Sequence, residues 1–314
     1  MGLKLTAKHY ARLVRDISKN YLQWHRRFVP RFLGLETTTL CNAGCSYCAR
    51  FQTPDLTKTP FMDFELLKAI VDAVPFVSKV APYGRGEPLL YPHIVDAIKY
   101  ITDSGKTSLL YSNGSIFNAE QIAGLFEAGL TELSFSIDTD RPDEFEQLRG
   151  LSFKKVVNNV RRIAALRDDF GVDTIVRIRS CVGDFNASRF TEIKEFWMQF
   201  VDNVIPMPYI PFPTPDVFEK KPTMNTGFLM CRQMYDALNV RADGSVPFCC
   251  NDWYSCIILG HLDEHVTKER VLSLYNSPKA SLVRKSIEFG RDAPALCGYC
   301  QVGNRTREMR EMIE

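Results

Sequence analysis
Cys41, Cys45 and Cys48 are gathered on one short stretch with the spacing C-x3-C-x2-C. Soft sulfur ligands suit iron–sulfur centres, and three thiolates on one loop can hold three irons of a cubane cluster. Such a cluster usually takes four protein ligands. Three leave one iron open, and an open coordination position is what a substrate-binding metal needs. A zinc loop and three unrelated cysteines are the competing readings.

A second group lies near the C-terminus: Cys231, Cys249, Cys250, Cys256, Cys297 and Cys300. Cys297-Gly298-Tyr299-Cys300 is a C-x2-C pair, and Cys249 follows the turn Ala242-Asp243-Gly244. Cys231, Cys249, Cys297 and Cys300 can make four metal ligands, as similar pairs do in zinc ribbons. Either Cys249 or Cys250 can be the ligand at that point. The thiols left over, Cys256 among them, commonly pack as small buried hydrophobes.

The elements that must position these residues are short β-rich runs alternating with helical patterns. Strands are expected over 33–39, 77–83, 107–112, 132–137, 174–181 and 201–206. Helices are expected over 64–73, 93–103, 119–128, 153–167 and 189–200. Six such alternations imply parallel strands in an α/β open sheet or barrel. Chemistry in barrels of this kind sits at the C-terminal strand ends, where several marked loops fall. Gly84-Arg85-Gly86-Glu87-Pro88 follows the second strand and Ser112-Asn113-Gly114 the third. Ser134-Phe135-Ser136-Ile137-Asp138 ends the fourth, and Arg177 and Arg179 lie on the fifth. Prolines then interrupt the pattern from Pro206 to Pro222, as in an extended linker. Beyond it, 237–241 and 245–249 read as a β-hairpin, and 268–289 as a helix before the last cysteine pair.

The organisation expected is therefore a basic amphipathic extension over 1–32, a core over 33–208, a Pro-rich linker over 209–230 and a small unit over 231–314. The extension sets eight basic residues against Asp16 alone. It reads as a helix packed on the core, with contact to an anionic membrane surface as the other reading.

Composition bounds the rest. The 314 residues are 45% hydrophobic and 24% charged, with a net charge of +2. That balance gives no mandate for a nucleic-acid partner. No apolar run of about 18 residues or secretory leader is evident. A cytoplasmic protein is expected, in which ten cysteines bind metal or do chemistry rather than form disulfides.

Taken in order, these motifs resemble the radical S-adenosylmethionine (SAM) superfamily over roughly residues 33–208. Its signature is this cysteine spacing with an aromatic residue before the third cysteine, the position of Tyr47. The resemblance implies a partial (β/α)6 TIM-like barrel whose open iron binds the SAM amino and carboxylate groups. Reductive cleavage of SAM then yields methionine and a 5′-deoxyadenosyl radical, which takes a hydrogen atom from substrate. It further implies that Gly86 and Glu87 hold the SAM amino group. Tyr47 is implied to contact the cofactor beside them. Ser112, Asn113, Ser136 and Asp138 contact the ribose or reaction site, and Arg149, or Arg177 or Arg179 on the fifth strand, reaches the carboxylate.

The segment from Val240 to Cys249 and the final cysteine pair resemble the SPASM and shortened "twitch" extensions of that superfamily. Those bind auxiliary 4Fe-4S clusters. The absence of cysteines after Cys300 fits a single auxiliary cluster. The architecture and length resemble aminocyclitol dehydrogenases, which implies oxidation of a hydroxyl on a small carbohydrate-like substrate. The alternatives are epimerisation with Cys250 as hydrogen-atom donor, peptide modification, and a non-catalytic metal-binding scaffold. An enzyme of this class requires an electron donor such as flavodoxin or ferredoxin.

Overall fold
A computed structural model of the chain describes residues 27–52, 58–210, 231–288, 294–300 and 302–313. The expected N-terminal helix thus lies outside the described residues up to position 26, and the Pro-rich linker over 211–230.

Among the described residues, β1 (Phe32–Leu35), β2 (Lys79–Pro82), β3 (Thr107–Ser112), β4 (Glu132–Ser136), β5 (Ile175–Val182) and β6 (Asn203–Pro208) lie in chain order within one parallel sheet. The helices between them are α1 (Phe64–Ala73), α2 (Ile94–Asp103), α3 (Ala119–Glu127), α4 (Pro142–Arg149), α5 (Phe153–Phe170) and α6 (Phe190–Trp197). This is an α/β sheet of partial-barrel type. Three of these helices start where the sequence supplies a side-chain cap, Ser152 accepting from Lys155 N–H at the start of α5. Asp63 accepts from Glu65 and Leu66 N–H at 2.9 and 3.1 Å, and Asn118 caps α3 in the same way.

Strand β5 illustrates how the sheet divides core from site. Its residues alternate between buried and half-buried, as a strand with one packed face must. Val176, Ile178 and Val182 join Leu133, Val160, Ile163 and Ile193 in the main core. Arg177, Arg179 and Cys181 take the opposite parity and face the concave side. Burying each of the large apolar side chains contributes roughly 1.5–3 kcal/mol. Trp197 is fully buried, with its indole N–H donating to the Thr139 carbonyl at 3.1 Å.

Two expectations need correction. The run 237–241 does not pair with 245–249 as a hairpin. Instead β7 (Ala237–Val240) adds to the sheet edge parallel to β1, with Phe32 opposite Ala237. All four of its residues are buried, which suits a strand covered on both faces better than an exposed hairpin arm. The turn itself forms, with Gly244 N–H donating to Arg241 C=O at 2.9 Å. Strand β8 (Ser245–Pro247) then pairs antiparallel with β9 (Ile258–His261). The helix expected over 268–289 is two, α7 (Lys268–Tyr275) and α8 (Pro278–Glu288). Pro278 lacks the N–H that a continuous helix needs and so begins a new one.

A second, smaller core gathers Met234, Phe248, Ile257, Ala280, Val283 and Ile287. No helix among the described residues is long and apolar enough to cross a membrane.

Candidate active site
Cys41, Cys45 and Cys48 leave the end of β1 on a loop fastened from two sides. Gly44 and Ser46 N–H donate to the Arg149 and Leu148 carbonyls at the end of α4, at 3.0 and 2.9 Å. Gly150 there has φ of 62°, and a Cβ on it would stand 3.1 Å from Gly44 Cα, so the close approach requires glycine. On the other side, Asn42 donates to Ser115 Oγ at 2.8 Å and accepts from Asn113 Nδ2 at 2.9 Å. The three thiols line a cavity of about 580 Å³ together with Gly86, Glu87, Ser112, Asn113, Ser136, Arg149, Arg179 and Cys250. That volume lies in the range of small-molecule sites.

Gly86 is set by close contact. A Cβ there would lie 2.4 and 2.6 Å from the Thr38 and Leu40 carbonyl oxygens, backbone atoms that cannot swing away. Gly86→Ala is expected to destabilise the protein by about 1–3 kcal/mol, read as a lowered urea midpoint at unchanged slope. Glu87, expected to hold an ammonium, is buried and braces the adjoining loop. Its carboxylate accepts from Asn113 N–H at 2.7 Å and Leu89 N–H at 3.2 Å. Burial pushes its pKa up to about 7, against the lowering effect of these hydrogen bonds and of Ser112.

Tyr47, Asp138 and Arg149, each read from the sequence as touching SAM, are bonded to one another. Asp138 accepts from Tyr47 Oη at 2.6 Å, from Arg149 Nε at 3.0 Å and from Cys181 N–H at 2.7 Å. The Arg149 guanidinium lies 5.2 Å from the Tyr47 ring centroid, and its Nη1 lies 4.0 Å from Cys45 Sγ. Arg149 therefore reaches the cysteine loop while Asp138 neutralises it. Arg179 shares Glu132 with Arg177, at 3.3 and 2.8 Å, and stands over the Tyr111 ring at 4.7 Å.

Sequence reasoning missed Tyr83, Tyr111, Glu132 and Glu36, the partner of Arg85. Arg85 binds both Glu36 oxygens at 2.7 Å. The signal that could have found the pair was a carboxylate ending an apolar strand, since a buried charge needs a partner.

Five of the C-terminal thiols lie near one another. Cys231, Cys249 and Cys297 pack against the smaller core. Asn251 donates its N–H to Cys249 Sγ at 3.2 Å and its Nδ2 to Cys300 Sγ at 3.4 Å. Cys300 is also an electrostatic neighbour of Cys231 and Cys297. These four thiols are thus neighbours, and Cys250, which hydrogen-bonds Cys249 and lies in the electrostatic reach of Cys231, also lines the cavity of the first loop, whereas Cys256 is exposed. Burial pushes the Cys297 thiol up to about 12; metal ligation is what draws such a thiol into its anionic form. Among the described residues no three His, Cys, Asp or Glu side chains surround a point closely enough for a single metal ion. An all-sulfur donor set fits iron–sulfur chemistry, and three thiols on the wall of a ligand-sized cavity fit a cluster that binds SAM.

The family model described as the radical SAM superfamily matches residues 35–179. That described as SPASM, an iron–sulfur cluster-binding domain, matches residues 231–301. An AdoMet-dependent heme synthase of Methanosarcina barkeri is 27% identical over 154 residues, 48% of this chain and 44% of the relative. A GTP 3′,8-cyclase of Vibrio parahaemolyticus is 31% identical over 146 residues, 45% of this chain and 43% of the relative. The chain thus spans less than half the length of these curated relatives. The crystal structure of BtrN in complex with AdoMet and 2-DOIA is 14% identical, with a TM-score of 0.55 over 88% of this chain and 93% of that one. That likeness is one of fold.

Proposed function
The chain belongs to the radical SAM superfamily and carries a SPASM iron–sulfur-binding domain, and from that premise we propose that it epimerises a small carbohydrate-like or cyclitol substrate. In this reading Cys41, Cys45 and Cys48 hold the 4Fe-4S cluster that binds SAM. Cys231, Cys249, Cys297 and Cys300 hold an auxiliary 4Fe-4S cluster. When bound and reduced, cluster and SAM supply a 5′-deoxyadenosyl radical that takes a hydrogen atom from a substrate carbon. The observation that carries the outcome is Cys250, a thiol on the wall of the same cavity as the first cysteine loop. Its S–H bond can give a hydrogen atom to the opposite face of the substrate carbon, forming a C–H bond and leaving a thiyl. An electron donor of the flavodoxin or ferredoxin type and a proton then restore the thiol. Tyr111, Trp253 and Arg179, all lining the cavity, suit a ring bearing several hydroxyls, with aromatic faces against C–H bonds and a guanidinium donating to oxygen.

Oxidation of a hydroxyl is the second reading, and the four C-terminal thiols favour it. That reaction removes a hydroxyl proton and one electron as well as a hydrogen atom, and an auxiliary cluster held by Cys231, Cys249, Cys297 and Cys300 would take the electron while the proton leaves to solvent. Product mass separates the two. In deuterated solvent, with amino sugars and cyclitols as candidate substrates, epimerisation yields a product that gains one deuterium. Oxidation yields a product lighter by two hydrogens. Cys250→Ala is expected to reduce epimer to background while SAM cleavage continues. Undiminished product from that variant rules out hydrogen return by Cys250.

A further inference from the structure
One strongly basic surface lies beside the first cysteine loop. Between Leu151 and Arg167 the chain carries five basic residues and no acid. Lys154, Lys155, Arg161 and Arg162 are exposed on α5, opposite the buried Val156, Val160 and Ile163. Lys154 and Arg161, like Lys155 and Arg162, are seven residues apart and so lie two turns along one side of the helix. Cations on other helices have partners, as Lys68 has Glu65 and Lys99 has Asp103, and Arg167 has Asp168 and Asp202. Among the described residues, no carboxylate of α3 or α4, the helices packed against α5, pairs with the four exposed cations. The first turn of α5 holds no acid, although the partial positive charge of a helix N-terminus favours one there. Helix stability therefore does not account for its two lysines.

A cleft of about 420 Å³ opens along this face, lined by Lys155, Asn159 and Arg162 of α5 and by Ser115, Ile116 and Phe117 of the loop after β3. The Arg162 guanidinium stands 3.8 Å from the Phe117 ring centroid, which holds it at the cleft. The cleft shares no lining residue with the cavity of the first loop, so an occupant here need not enter the substrate cavity. It is nonetheless joined to that loop. Asn159 Nδ2 donates to the Gly114 carbonyl at 2.9 Å, and Ser115 Oγ accepts from Asn42 at 2.8 Å. Asn42 directly follows Cys41. Gly150, three residues before α5, closes on Gly44 and brings the start of the helix to the same loop.

A cluster held by Cys41, Cys45 and Cys48 must receive an electron before SAM is cleaved, and electron transfer between proteins needs close approach. A flavodoxin is small and acidic, with the apolar edge of its flavin set within the acidic surface. A basic face around the half-buried Ile116 and Phe117 complements it in charge and in polarity.

We propose that the α5 face centred on Lys155 and Arg162, with the cleft beside it, is the docking surface for an acidic one-electron carrier of the flavodoxin type. One electron leaves the carrier, whose flavin passes from the hydroquinone anion to the neutral semiquinone, and reduces the cluster on the first loop. The proposal rests on the reading that this loop holds the SAM-binding cluster.

The test is a calorimetric titration of oxidised flavodoxin into the anaerobic, cluster-loaded protein. Lys154→Glu/Lys155→Glu and Lys155→Glu/Arg162→Glu are each expected to weaken binding at least about tenfold and to flatten its salt dependence. Lys268→Glu/Arg270→Glu, an equal change of charge at exposed positions of α7, should bind as wild type does. With reduced flavodoxin as the sole electron source, SAM cleavage should fall with affinity, while dithionite should drive it at the wild-type rate in every variant. Unchanged binding by both α5 variants, or equal weakening by the α7 variant, overturns the docking surface. So does a wild-type protein that dithionite activates but flavodoxin does not bind. No SAM cleavage by wild type with dithionite overturns the reading of the first loop, and the proposal with it.

Discussion

Alanine at Cys41, Cys45 and Cys48 together will abolish SAM cleavage and lower the iron content of anaerobically reconstituted protein from about eight to about four per chain. The loop's own fastenings are backbone bonds from Gly44 and Ser46 to the end of α4, and the Asn42–Asn113–Ser115 set. None of these uses a thiol, so the fold should persist and the far-ultraviolet circular dichroism should match wild type. The complementary variant, alanine at Cys231, Cys249, Cys297 and Cys300, should also retain about four irons, but those of the SAM-binding cluster. It should therefore still cleave SAM in the absence of substrate. Iron that stays near eight in the triple variant would sink the ligand assignment of the loop. Iron that falls from about four to near zero would instead mean that the C-terminal thiols hold no cluster.

Legible in the sequence is whatever a strand end announces locally. The cysteine loop, the Gly84–Pro88 stretch and Ser112-Asn113 each follow a short apolar run, and parallel strands bring such ends to one edge. The period of two along β5 is enough to set Arg177 and Arg179 on one face. Partnership is not legible in this way. Asp138, Tyr47 and Arg149 each carry a plausible contact with SAM, yet their nearest partners are one another. That choice depends on how α4 lies against the cysteine loop, a tertiary fact. Strand β7 misleads for a related reason. Beside a turn, four residues suit a hairpin arm or a sheet edge equally well, and only the unpaired edge of β1 decides between them. Spacing cannot tell vicinal Cys249 and Cys250 apart. Their environments differ because one faces the smaller core and the other the cavity.

Asp138→Ala should cost about 3–5 kcal/mol of folding stability, the penalty for leaving one partner of a buried ion pair alone. Asp138 is 1% exposed and Arg149 is 7% exposed. The substitution strands the guanidinium and also removes the acceptor for Tyr47 Oη and Cys181 N–H. Each buried donor left unmet adds its own desolvation cost of about 1–3 kcal/mol. Asp138→Asn keeps an oxygen for one or two of these donors but not the charge, and should fall between wild type and Asp138→Ala. The double variant Asp138→Leu/Arg149→Met should recover much of the loss, since apolar replacement of both members of a buried pair is often neutral. Urea unfolding of the anaerobic protein at unchanged slope measures all three. Stability and chemistry should then part company. The double variant regains its fold but loses the guanidinium beside Cys45 and the hydrogen bond to Tyr47. It should therefore hold iron less tightly than wild type at equal stability. A double variant with wild-type iron retention would show that the bracket serves the fold alone; a cost below about 1 kcal/mol for Asp138→Ala would show that it is not a buried ion pair in the working protein.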